Sequence, residues 1–297
     1  MCLKKDKGRD LRIMKSMKKV FGALLTLVLC LGLVGCGGGS GDSSNGGDIS
    51  GKITLNGSTS MEEFVNALSE GIKEQYPNLT LEPQFTGSSA GIEAAIDGTS
   101  DIGNSSRSLT DDEKNQGLVE NIVAIDGIAI VTHADNEISN LTTDQLKQIY
   151  TGQITNWSQV GGPDQQIVVI GREAGSGTRG AFEEILGIED QCNYAQELNE
   201  TGAVMGRVAE TEGAIGYVSF EAIQDNDTVK ALTLDDVEIS TDTIKDGSYT
   251  LQRPFVMATK GEVSEQSEQV QALFEFINSE AGQKIVESCG LVSPNSE

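Results

Sequence analysis

Gly171-Arg172-Glu173-Ala174-Gly175-Ser176-Gly177-Thr178-Arg179 follows a strand-like run over residues 166–171 and leads into a helix-like run over residues 179–186. A strand is thus delivered through a turn of small residues to the start of a helix. The same design occurs twice earlier, at Asn56-Gly57-Ser58-Thr59-Ser60-Met61-Glu62 and at Thr86-Gly87-Ser88-Ser89-Ala90-Gly91. A helix start exposes unpaired backbone N–H groups and a partial positive charge, and Ser and Thr hydroxyls add donors beside them. Any one of these turns reads as ordinary capping, and Thr59 to Glu62 fits a capping box. Three in one chain, the last carrying Arg172 and Arg179, point to an oxyanion site, because a guanidinium fork matches two oxygens of a tetrahedral anion.

Outward from these turns, short strand-like and helix-like runs alternate. Strands are expected over 52–56, 79–85, 101–104, 122–132 (interrupted at Asp126-Gly127), 166–171, 214–219, 229–234 and 249–258. Helices are expected over 60–75, with Phe64, Leu68 and Ile72 on one face, and over 90–96, 143–150, 179–186, 203–210 and 265–287. Such alternation predicts an α/β fold with mainly parallel sheets. There is no internal repeat.

The amino end has the layout of a secretory signal. Lys15, Lys18 and Lys19 precede an apolar run over residues 20–33, which is shorter than the roughly 20 residues of a membrane-spanning helix. Leu33-Val34-Gly35-Cys36 resembles the lipobox of bacterial lipoproteins, which implies cleavage after residue 35 and lipid attachment at Cys36. Residues 36–50, rich in Gly, Ser and Asp, then read as a flexible tether. Removing residues 1–35 takes eight of the 21 Lys and Arg and two of the 45 Asp and Glu, leaving 13 against 43 and a formal charge of −30. That charge excludes nucleic-acid binding and requires any bound anion to be held by local groups. Of the five cysteines, Cys192 and Cys289 remain beside Cys36, as one disulfide or as two buried thiols. With one histidine, His133, and no Cys/His spacing, neither a metal nor another cofactor is expected.

Gly57-Ser58-Thr59, Gly87-Ser88-Ser89-Ala90-Gly91, Asp101-Ile102-Gly103-Asn104-Ser105-Ser106-Arg107 and Arg172-Glu173-Ala174-Gly175-Ser176-Gly177-Thr178 occur in the order and spacing of the phosphate-binding proteins of bacterial ABC transporters. Residues 143–157, with Leu-x-x-Ile-Tyr-x-Gly-x-Ile-x-x-Trp, also resemble that family, so the likeness covers nearly all of the mature chain. It implies a two-lobed periplasmic-binding-protein fold of type II whose chain crosses twice between lobes. Lobe one would hold residues 51–128 and 252–297, and lobe two residues 129–251. The phosphate-binding set implied is Thr59, Ser60, Ser88, Ser106, Arg107, Arg172, Ser176, Gly177 and Thr178, with Glu173 orienting Arg172. The protein would be a monomer that is no enzyme, is tethered outside the cytoplasm through Cys36, and delivers phosphate to the permease and ATPase subunits of an ABC transporter.

One position departs from the family. Well-known members carry Asp where this chain has Ser106, and a hydroxyl does not impose the charge penalty that a carboxylate places on sulfate, so sulfate or molybdate is the alternative cargo. Arg107 is open to two readings, as a second cationic contact to the anion or as the partner of a nearby carboxylate. From another class, Gly87-Ser88-Ser89-Ala90-Gly91 fits the Gly-x-Ser-x-Gly elbow of a secreted serine hydrolase, with His133 as the base. A nucleotide-binding P-loop is excluded, since no Lys precedes Thr178. Tyr150 and Trp157 read as core of the middle segment.

Overall fold

The computed structural model describes residues 49–224 and 226–294; the signal, Cys36 and the tether up to residue 48 lie outside them. Strand β1 (Ser50–Gly57) pairs in parallel with β2 (Asn78–Gln84) and β3 (Ile102–Ser105). Between β1 and β2 runs α1 (Glu62–Gln75), and between β2 and β3 runs α2 (Ser88–Asp97). Phe64, Val65, Leu68 and Ile72 of α1 are buried, following the helical period, and each such side chain contributes about 1.5–3 kcal/mol on leaving water. The helix expected from residue 60 is preceded by a tight 3-10 turn, Thr59–Met61, in which Ser58 Oγ accepts the Ser60 N–H at 3.2 Å. Gly91 is required by close approach: a Cβ there would lie 2.2 Å from the Asn56 carbonyl oxygen, so α2 could not rest on β1.

After a single turn, α3 (Asp111–Asn115), the chain enters β4 (Leu118–His133), 16 residues long. Its first half pairs antiparallel with β11 (Gln252–Lys260), from Lys260 opposite Leu118 to Gln252 opposite Gly127. Its second half pairs antiparallel with β8 (Ala214–Ser219), from Ile128 opposite Ser219 to Thr132 opposite Ile215. Strand β6 (Val168–Arg172) lies parallel to β8, and β7 (Gln196–Leu198) parallel to β6. The order β2-β1-β3-β11-β4-β8-β6-β7 therefore turns on one strand that changes partners near Gly127.

Three sequence expectations differ from the observed structure. No break occurs at Asp126-Gly127; a Cβ on Gly127 would meet the Ile244 and Ile239 side chains at 2.7 and 2.8 Å, so the glycine makes room for packing and not for a turn. The sheet is also mixed: every pairing of β4 and β11 is antiparallel, because the chain leaves on one and returns on the other. The helix expected over 265–287 is two, α8 (Glu268–Asn278) and α9 (Glu280–Ser288); extended Ser279 ends the first and caps the second, accepting the Gly282 N–H at 3.2 Å.

The fold is two-lobed, with a separate hydrophobic core in each lobe. One gathers Ile128 to Leu251 around Trp157, Tyr150, Phe182 and Tyr217, and the other joins Ile53, Phe64 and Ile72 to Phe255, Leu273 and Phe276. Tyr150 and Trp157 are fully buried, and Trp157 Nε1 donates to the Gly213 carbonyl at 3.0 Å, so neither is a stacking platform. Cys192 packs against the first core and Cys289 lies within the second; both are free thiols and form no disulfide.

Candidate functional site

The three helix starts named in the sequence converge. The 3-10 turn before α1 presents Thr59 and Ser60, α2 begins at Ser88, and α5 (Gly177–Leu186) begins behind its cap Ser176, whose Oγ accepts the Arg179 N–H at 3.3 Å. Ser106 follows β3 directly. Ser60 Oγ lies 2.7 Å from Thr178 Oγ1, and Ser106 Oγ lies 3.4 Å from both Thr178 Oγ1 and Ser88 Oγ. Ser88 Oγ also accepts the Ser106 N–H at 3.2 Å. Between the turns, Ser89 N–H donates to the Gly175 carbonyl at 3.1 Å. Thr59, Ser60, Ser88, Ser106, Ser176 and Thr178 are all buried. Gly177 closes the cluster, since a Cβ there would come within 2.4 Å of Ser88 Oγ and 2.8 Å of Ser106 Oγ.

Arg172, at the end of β6, is 2 % exposed and supplies the positive charge. Its Nη1 donates to Thr201 Oγ1 at 3.2 Å, while Nε and Nη2 fork onto the Glu173 carboxylate at 3.1 Å each and onto the carbonyls of Leu198 and Asn199. Glu173 thus orients the guanidinium. Arg179 braces the same strand end: its Nη1 donates to the Arg172 carbonyl at 3.0 Å, and its Nε is paired with Glu183 at 2.8 Å. Tyr217, whose hydroxyl burial holds in the neutral form, accepts the Arg172 backbone N–H at 3.2 Å.

Thr201 escaped the sequence reading. It begins α6 (Thr201–Glu210), and its Oγ1 lies 3.1 Å from both Thr59 Oγ1 and Ser60 Oγ, so it joins Arg172 to the opposite lobe. The only signal was Asn199-Glu200-Thr201 before a helical run, without the glycine-rich turn that marks the other three starts.

Arg107 follows Ser106, and its guanidinium is engaged by a carboxylate. Its Nη1 and Nη2 donate to the two oxygens of Glu113 at 2.9 and 2.7 Å, and Nη1 also donates to the Ser108 carbonyl at 2.9 Å. The hydrolase geometry is absent as well. Ser88 Oγ meets Ser106, whereas His133 ends β4, where its Nδ1 accepts the Asp135 N–H at 3.2 Å. Among the described residues no group of three or more His, Cys, Asp and Glu side chains could hold a metal ion.

A compact nest of hydroxyls, helix amino ends and one guanidinium, enclosed between two lobes, can hold a small tetrahedral anion. The sequence profile of the PBP superfamily domain matches residues 42–281. The chain belongs to the PBP superfamily, as a PstS-like member. It is 33 % identical over 228 residues to the phosphate-binding protein PstS of Bacillus subtilis (strain 168), covering 75 % of each chain. Among solved structures, a putative phosphate ABC transporter substrate-binding protein from Clostridium perfringens with bound phosphate is 40 % identical, with a TM-score of 0.78 over 82 % of this chain and 99 % of that one. An ABC-type phosphate transport receptor from Vibrio cholerae is 35 % identical, with a TM-score of 0.68 over 82 % and 100 %.

Proposed function

We propose that this protein captures inorganic phosphate in the cleft between its lobes and delivers it to the permease and ATPase subunits of an ABC transporter, without catalysing any reaction on it. The observation that carries this reading is the meeting of Ser60, Ser88 and Ser106 with Gly177, Thr178 and Thr201 beside Arg172. The ligands are Thr59, Ser60, Ser88, Ser106, Arg172, Ser176, Gly177 and Thr178, joined by Thr201. Helix ends and neutral hydroxyls hold an anion inside a strongly acidic chain without an array of cations. Bound anion would take up the donors that otherwise meet each other, and so favours the closed arrangement.

The protein acts as a monomer outside the cytoplasm, held to the membrane by lipid on Cys36. No helix among the described residues is long and apolar enough to cross a membrane. Titration calorimetry of the soluble part, residues 51–297, with phosphate, sulfate and molybdate tests the reading. Phosphate is expected to bind, and no binding of any of the three would overturn it. With Ser106 rather than a carboxylate beside Ser88, sulfate is expected to bind measurably too. Arg172→Ala should weaken phosphate by about 2–5 kcal/mol, as for one member of a buried charge-assisted pair; unchanged affinity would remove Arg172 from the site.

A further inference from the structure

Glu221 opens a short 3-10 turn (Glu221–Ile223) just after β8 and is 2 % exposed, although it takes no part in the hydroxyl cluster. Its Oε1 accepts the N–H of Phe64, in the first turn of α1 across the cleft. Its own backbone N–H donates to Asp126 Oδ1 at 3.3 Å. Asp126 Oδ2 in turn accepts from Ser219 Oγ at 2.7 Å and stands 3.0 Å from Arg253 Nη2, where β4 and β11 run side by side between the lobes. Glu221 Oε2 is buried with no hydrogen-bond partner among the described residues. With Thr59, Ser60, Asn66, Thr201 and Met205 it also lines a cavity of about 410 Å³ beside the cluster.

The start of α1 has no cap of its own, since Met61 at that position offers no side-chain acceptor. Early N–H groups of a helix need partners, and the oxygen of a carboxyl group can accept from one. Here it comes from the opposite lobe and is anchored to the crossing strands. We propose that Glu221 is a positioning residue for anion capture: it holds the amino end of α1, and with it Thr59 and Ser60, in register with Arg172, Thr178 and Thr201. This rests on the reading of the cleft as a phosphate site.

The groups facing Glu221 are Glu63 on α1, Asp126 on β4, Arg253 on β11 and Cys289 after α9. Burial first, then Asp126 and Glu63, push its carboxyl well above the ordinary range, against the Phe64 N–H and Arg253. Cys289, held up at about 12 by burial, stays neutral. An acid whose pKa is raised in the closed form takes up its proton more readily there, so closure is helped as pH falls and opposed as pH rises.

The test is phosphate titration of the wild type, Glu221→Ala and Glu221→Gln between about pH 5.5 and about pH 8.5. Glu221→Ala is expected to lose about tenfold in affinity or more, whereas Glu221→Gln, whose amide oxygen can still accept the Phe64 N–H, stays within a few fold. The ratio of wild-type to Glu221→Gln affinity, in which the titration of phosphate itself cancels, is expected to rise as pH falls. Wild-type affinity in Glu221→Ala, or equal losses in both variants, overturns the inference; should Glu221→Ala fail to fold, a flat ratio across the range overturns it alone. A wild type that binds no phosphate sinks the function reading instead.

Discussion

Thr201 Oγ1 is the meeting point of Arg172, Thr59 and Ser60, so one hydroxyl coordinates the cation of one lobe with the first helix start of the other. Replacing it by valine keeps the shape and removes the oxygen. Thr201→Val should therefore weaken phosphate binding by about 1–3 kcal/mol, read by calorimetry, and unchanged affinity would remove it from the site. Gly177 acts by size instead. A methyl at Gly177 would press on Ser88 Oγ and Ser106 Oγ, so Gly177→Ala should cost about 1–3 kcal/mol of phosphate affinity, read by calorimetry, and unchanged affinity would remove Gly177 from the site. Legibility at this scale was uneven. The turns advertised Ser60, Ser88 and Thr178 through small residues that serve close approach, but a residue type alone cannot say whether Arg107 meets an anion or Glu113, six positions on. Glu221 was silent for a related reason: its partner, the Phe64 N–H, is a backbone group 157 positions away and has no sequence signature.

At the scale of elements, helix α4 (Thr143–Tyr150) begins where the periodicity placed it because a complete capping box precedes it, Thr142 Oγ1 accepting from Gln145 N–H and Gln145 Oε1 from Thr142 N–H. Thr142→Ala should cost about 1 kcal/mol, seen as a fall of about 2–4 °C in melting temperature, without altering phosphate affinity. Local chemistry of this kind made most elements readable. Elements whose limits come from neighbours were not. The 3-10 turn ahead of α1, the division of the last helix at Ser279 and the unbroken run of β4 through Gly127 each depend on what packs or bonds from elsewhere. The three residues of β7 were missed for the same cause, since they are a strand only by lying against β6.

For the whole molecule, the formal charge of −30 that remains without residues 1–35 opposes the approach of any anion while the cleft attracts it at short range. Association with phosphate should accordingly speed up a few fold as ionic strength rises from about 0.01 to about 0.2 M, the reverse of electrostatic steering, because salt screens the long-range repulsion. Stopped-flow measurement over that range checks it, and a rate that falls with salt would show an attractive field at the cleft mouth.

By itself the sequence determined the α/β class, the strand-turn-helix units and the hydroxyl-bearing turns that the fold brings together. Those follow from period, capping and glycine placement within a few residues of one another. Only the tertiary structure decided that β4 passes whole between lobes, that Thr201 and Glu221 join residues from opposite lobes, and that Arg107 belongs to Glu113. Such pairings join positions far apart in the chain or choose among equal local partners, and their energies exist only once the lobes have packed.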